Sequence, residues 1–117
     1  ETGPVRSVSK QMQKPSEVTV IPWDSIDPPT EGAVRSTLAE ENLKPYAWGN
    51  NPGDVYSAHT HGYAKVIYVI QGSITFGLPD EGRQVNLKAG DRLELPAGTQ
   101  HNAIVGENGV HCLEAHR

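Results

Sequence analysis

Two histidines one residue apart, His59 and His61, carry the first chemical signal of this sequence, inside the stretch GDVYSAHTHGYAK from Gly53 to Lys65. Side chains on a β-strand alternate between faces, so the two imidazoles point the same way. Neutral imidazole nitrogens placed like this are natural ligands for Zn, Fe, Mn, Ni or Cu, approached at about 2.0–2.1 Å in the zinc case. An H-x-H pair alone is weak evidence, because strand histidines are common without a metal. The stretch closes on Lys65, a cation beside a site suited to cations.

The elements that must position these side chains read as short strands. Glu17–Ile21 (EVTVI) is a first strand, and WDSIDPPTEG is loop, with Pro28 and Pro29 barring helix. Ala33–Asn42 (AVRSTLAEEN) leans to strand over a single helical turn, and PYAWG is another short extended piece. Beyond it, Val55–His61, Lys65–Gln71, Ser73–Leu78, Gln84–Leu87, Arg92–Leu95, His101–Val105 and Val110–Ala115 all read as strands. QGS, PDEG, KAGD, PAG and ENG separate them, and Asn108-Gly109 is a strong short hairpin signal. Gly72 falls between two runs, where a turn asks for positive φ. Many short strands with no helices between them make an all-β antiparallel sandwich or barrel.

Composition bounds the function. The 117 residues suit one domain, read as 17–117, with a polar flexible arm over 1–16. Net charge is −4 without a basic block, which argues against nucleic acid as a partner. The longest apolar stretch, Val66–Ile70, is strand-sized, far short of the roughly 20 residues that span a bilayer, so no membrane partner is expected. Cys112 is the single cysteine, so no intrachain disulfide forms; with no signal peptide read, a reducing, cytoplasmic setting is expected. No P-loop, dinucleotide fingerprint or nucleophile elbow is present.

Two motifs sharpen the histidine signal. Gly53-x5-His59-x-His61-x3-Lys65-x6-Gly72 resembles the first motif of the cupin superfamily in every spacing, and Gly90-x5-Pro96-x-Gly98-x2-His101 resembles the start of the second. Together they cover nearly half the chain and are specific as a pair. The resemblance implies a double-stranded β-helix, a jelly-roll barrel whose mouth holds one divalent transition metal. It also implies that His59, His61 and His101 are the ligands, and that the chain pairs as a homodimer through sheet edges, for which EVTVI is a candidate edge.

Lys65 stands where the first motif usually carries a ligand glutamate. An ammonium about 5 Å from a divalent ion, at an effective dielectric of about 20, is repelled by some 6–7 kcal/mol. Either Lys65 turns to a carboxylate, or burial neutralises it, or the barrel holds no metal. The first is favoured, with Glu94 or Glu114 as partner. Three neutral histidines would then leave the ion open coordination positions, as catalytic sites require. At the other departure, Val105 replaces a frequent Asn and makes that part of the barrel drier.

Lys65, Tyr63 and Trp48 are the candidate substrate-binding residues, Tyr63 at the mouth and Trp48 beside Tyr46 on one face. Ile67 and Val69 follow Lys65 inward as an apolar floor, while Tyr68 faces the other side. His116 is expected exposed, and only one of His111 and Cys112 can point inward. The leading functional reading is a metal-dependent enzyme of dioxygenase, isomerase or lyase type acting on a small polar molecule. The alternative is a non-catalytic ligand-binding or sensor module whose Lys65 contacts an anionic small molecule. A purely structural barrel is the third.

Overall fold

The fold follows from how two long strands bend. The structure is a computed structural model and describes residues 17–117; the arm expected over residues 1–16 lies outside the described residues. The described residues form seven strands: β1 Thr19–Ile21, β2 Tyr46–Asn50, β3 Val55–His59, β4 Lys65–Leu78, β5 Arg83–Lys88, β6 Arg92–Leu95 and β7 His101–His116. All pairings are antiparallel, in one continuous sheet ordered β1-β6-β4-β7-β2, with β3 also on β7 and β5 also on β4.

The first halves of β4 and β7 do not share the same neighbours as the second halves. Lys65–Tyr68 of β4 pairs with β6, whereas Ser73–Leu78 pairs with β5. His101–Ile104 of β7 runs beside β3, whereas Val110–Glu114 runs beside β2. The sheet therefore folds into two leaves, β1-β6-β4-β7-β2 and β5-β4-β7-β3, hinged along the middle of β4 and β7. The buried core draws on both leaves: Ile67, Val69, Leu93, Leu95 and Cys112 from one, Ile74, Phe76, Val85, Leu87, Ala103 and Val105 from the other. This is the all-β jelly roll expected from the sequence.

The hinge explains two corrections. Lys65–Gln71 and Ser73–Leu78 are one strand, and His101–Val105 and Val110–Ala115 are one strand. Asn108-Gly109 does not make a hairpin. Gly72 (φ 83°) and Gly109 (φ 78°) instead kink the two long strands where they touch, and the register shifts there between Val69/Gln71 and Gly72/Ile74. A Cβ on Gly72 would sit 2.0 Å from the Gly109 carbonyl oxygen. Positive φ at both positions lets the ladder bend without breaking.

The stretch expected to lean to strand after Gly32 is helical: α1 spans Glu31–Glu40. Thr30 caps it, its side chain accepting from the Ala33 amide at 3.2 Å. Glu31 and Arg35 pair one turn apart at 2.8 Å. Val34 and Leu38, four residues apart and fully buried, pack on Val66, Tyr68 and Leu113 of the outer face. That spacing of four belongs to a helix; two prolines before the cap are compatible with a helix start. Glu41 then grips Arg92 through its two terminal guanidinium nitrogens, Nη1 and Nη2, at 2.7 and 2.8 Å. Among the described residues no helix is long and apolar enough to cross a membrane.

Two glycines separate backbone freedom from close approach. Gly82 has φ 63° and nothing within 4 Å of an added Cβ. Gly82→Ala should cost about 1–2 kcal/mol of unfolding free energy, the left-handed backbone alone. Gly72→Ala adds a collision in the hinge and should cost about 2–4 kcal/mol. Urea-denaturation midpoints check the ordering; equal losses would show that the hinge is not tightly packed.

Candidate metal centre

The two motifs meet across the β3–β7 ladder. β3 ends at His59, two residues earlier than expected, and His59 lies directly opposite His101, the first residue of β7. His61 follows on the turn beyond β3. Its backbone carbonyl accepts from the Gly98 amide at 2.8 Å, so the Pro96-Gly98 turn holds the first motif's second histidine while leading into His101. Gly98 has φ 79°, which a side chain would resist.

The three rings converge. Their centroids are 4.4 Å apart for His59 and His101, 4.7 Å for His59 and His61, and 5.3 Å for His61 and His101. One nitrogen from each lies within 4.8 Å of the other two. The ring orientations are fixed from behind. His59 Nδ1 donates to the Ser57 carbonyl at 2.6 Å, and His101 Nδ1 donates to the Thr99 carbonyl at 2.9 Å. A carbonyl only accepts, so each Nδ1 carries the proton and each Nε2 keeps its lone pair. His61 Nε2 is buried without a hydrogen-bond partner. An orphaned buried nitrogen is costly unless something occupies it.

Their surroundings also favour the neutral form of His61 and His101. Burial, then the Lys65 and His59 charges, hold His61 below the ordinary imidazole value of 6.5. Burial likewise holds His101 below 6.5 against the bond to Thr99, with help from His59 and Lys65. Neutral imidazoles are the ligating form. Three nitrogens each about 2.0–2.1 Å from one ion stand at most about 4.2 Å apart, a small side-chain rotation from the observed spread. The residues present fit a divalent transition metal.

Lys65 turns to a carboxylate, as favoured from the sequence, and the partner is Glu114. Nζ lies 3.1 Å from Glu114 Oε2, with the two side chains 13% and 4% exposed. Glu94 faces the outer side of its leaf, where Arg92 (2.5 Å) and Arg117 (3.3 Å) hold it. Glu114 accepts three further bonds: from Tyr46 Oη at 2.7 Å, Trp48 Nε1 at 2.9 Å and His116 Nε2 at 2.8 Å. Burial pushes its pKa up, but the bonds from Tyr46 and His116 and the Lys65 charge outweigh this, leaving it below 4.5. The carboxylate is ionised, and the ion pair adds no net charge to the cavity.

The three histidines, Lys65 and Glu114 share a cavity of about 230 Å³, the space of roughly eight waters. Trp48, Tyr56, Phe76 and Ile67 supply apolar walls; Val69 lies deeper, in the core. Trp48 thus reaches the cavity, while Tyr63 stacks at its rim between His61 (5.2 Å) and His116 (4.2 Å). Cys112 points inward, its thiol pushed by burial up to about 12, and His111 points outward to Glu31 at 3.2 Å. Some contributors were missed. Tyr56 and Phe76 line the cavity, and His116, expected to be merely exposed, also binds the inward carboxylate. The signal for His116 was parity: it lies two residues beyond Glu114 and opposite Lys65.

Comparison with known proteins agrees with this fold. No curated protein matches the chain. Among solved structures, an RmlC-like cupin from Shewanella frigidimarina has 23% identity and a TM-score of 0.55, over 63% of this chain and 64% of that one, less than two thirds of its length. KdgF from Halomonas sp. has 23% identity and a TM-score of 0.53, over 86% of this chain and 77% of that one. The polyketide cyclase RemF from Streptomyces resistomycificus has 20% identity and a TM-score of 0.55, over 89% of this chain and 69% of that one. At these identities the likeness is one of fold. The family model for the cupin domain matches residues 49–114, more than half the chain and both histidine motifs, so the chain belongs to the cupin family.

Proposed function

We propose that the protein binds one divalent transition metal through His59, His61 and His101 and acts as a metal-dependent enzyme on a small polar molecule. The observation that carries this is the convergence of three imidazoles with two Nε2 lone pairs fixed by backbone carbonyls and a third Nε2 buried without a partner. When bound, the ion supplies Lewis-acid or oxygen-activating chemistry to a ligand that completes its coordination. Dioxygenase, isomerase and lyase reactions all fit that description.

The chain's own residues do the rest. The carbonyls of Ser57 and Thr99 keep His59 and His101 in one tautomer. Glu114 takes up the Lys65 charge, so the ligand set is neutral and the ion keeps its full charge toward an oxygen-bearing substrate. Trp48, Tyr56, Phe76 and Ile67 wall the cavity and limit the water in it. In the alternative, a non-catalytic module, Lys65 would hold an anionic ligand; its pairing with Glu114 favours the metal-dependent reading. A reducing, cytoplasmic setting and a homodimer through the outer strand β1 belong to the same proposal; Cys112 as single cysteine and β1's pairing with β6 alone support them.

Elemental analysis after reloading with Zn, Fe, Mn or Ni should give close to one equivalent in the wild type and a large loss in His61→Gln and His101→Gln. Uptake below about a tenth of an equivalent with every metal would end this reading. Acidity gives a second check. His61 and His101 have depressed pKa values in the fold, so they stay neutral as pH falls to 6.5 and take up protons only below it. Apparent zinc affinity should therefore decline mainly below pH 6.5; a steep decline between pH 8 and 7 would contradict the neutral-ring electrostatics.

A further inference from the structure

The Lys65–Glu114 pair occupies the same cavity as the three histidines, yet its two members are held very differently. Among the described residues, Glu114 is the one carboxylate within ion-pair reach of Lys65 Nζ, at 3.1 Å. Glu114 has three other donors, from Tyr46, Trp48 and His116, on β2 and at the end of β7. Removing the lysine leaves the carboxylate anchored. Removing the carboxylate charge leaves a flexible ammonium without an anion, on a side chain only 13% exposed and in a cavity shared with the three histidine rings.

We propose that Glu114 is a positioning residue that sets the metal affinity of the histidine cluster by holding the Lys65 ammonium away from it. This rests on the metal reading of His59, His61 and His101. The carboxylate that the family usually brings to the ion as a ligand is here replaced by a cation, and a carboxylate on the neighbouring strand cancels that cation. The two substitutions then have opposite signs. Glu114→Gln frees a positive charge and weakens cation binding. Lys65→Met leaves an anchored negative charge in the cavity and strengthens it.

The test is a double-mutant cycle on the full chain, titrating Zn²⁺ by calorimetry and Co²⁺ by its visible absorption, with circular dichroism to confirm folding. Glu114→Gln should weaken Zn²⁺ binding at least tenfold, Lys65→Met should tighten it at least threefold, and the double variant should return to within threefold of wild type. A double variant as weak as Glu114→Gln would show that Glu114 acts only through packing, and an unchanged Glu114→Gln would show no coupling; either overturns the proposal while the metal reading stands. A wild type that takes up neither ion overturns both. Should Glu114→Gln fail to fold, Lys65→Met against wild type decides, and affinity that stays level or falls overturns the proposal.

Discussion

An ionised carboxylate buried beside three imidazoles governs this site. Glu114 is almost wholly shielded from water, and a carboxylate so placed must find hydrogen bonds inside the protein or take a proton. It finds them in Tyr46, Trp48, His116 and Lys65. Those four donors come from β2, β4 and β7, so satisfying one charge also ties together three strands of the leaf that forms one wall of the cavity. The same bonds remove Lys65 as a free cation. What is left facing the cavity is a neutral set of nitrogen donors.

The second constraint is geometric. A site assembled from two motifs about forty residues apart in the chain needs a backbone that returns to the same place. β4 and β7 provide it by bending together where Gly72 meets Gly109, so each long strand serves both leaves. His101 enters β7 opposite His59, and the bond from Gly98 to His61 fastens the turn before one motif's histidine to the other motif's histidine. The fold thus fixes the His59 and His101 rings through the Ser57 and Thr99 carbonyls and the His61 backbone through Gly98, and the three rings cluster at one point.

Much of this was legible in the sequence, for identifiable reasons. Strand alternation sent Lys65, Ile67 and Val69 inward, because period two survives uncertainty about strand ends, whereas His61 joins His59 from beyond the end of β3, where alternation no longer applies. The charge conflict at Lys65 called for a carboxylate, since an uncompensated ammonium would repel a cation. The choice between Glu94 and Glu114 was not legible, because it depends on the register of β6 and β7 against β4, which no local pattern encodes. Asn108-Gly109 misled because the residue pair favours positive φ, and a kink within a strand uses that preference as well as a hairpin does. The helix α1 was obscured by Val34 and Thr37, which suit strands; the Thr30 cap and the burial of Val34 and Leu38 against β4 and β7 outweigh that preference. Tyr56 and His116 escaped notice because their roles depend on neighbours far away in the chain.

The central claim is that His59, His61 and His101 hold one metal ion. Anomalous diffraction from a crystal of the metal-loaded protein, collected on both sides of the metal's absorption edge, tests it directly. The account predicts a single strong peak bounded by the Nε2 atoms of the three rings, with Lys65 Nζ still turned to Glu114. No peak at that position, or one coordinated elsewhere on the chain, would contradict it.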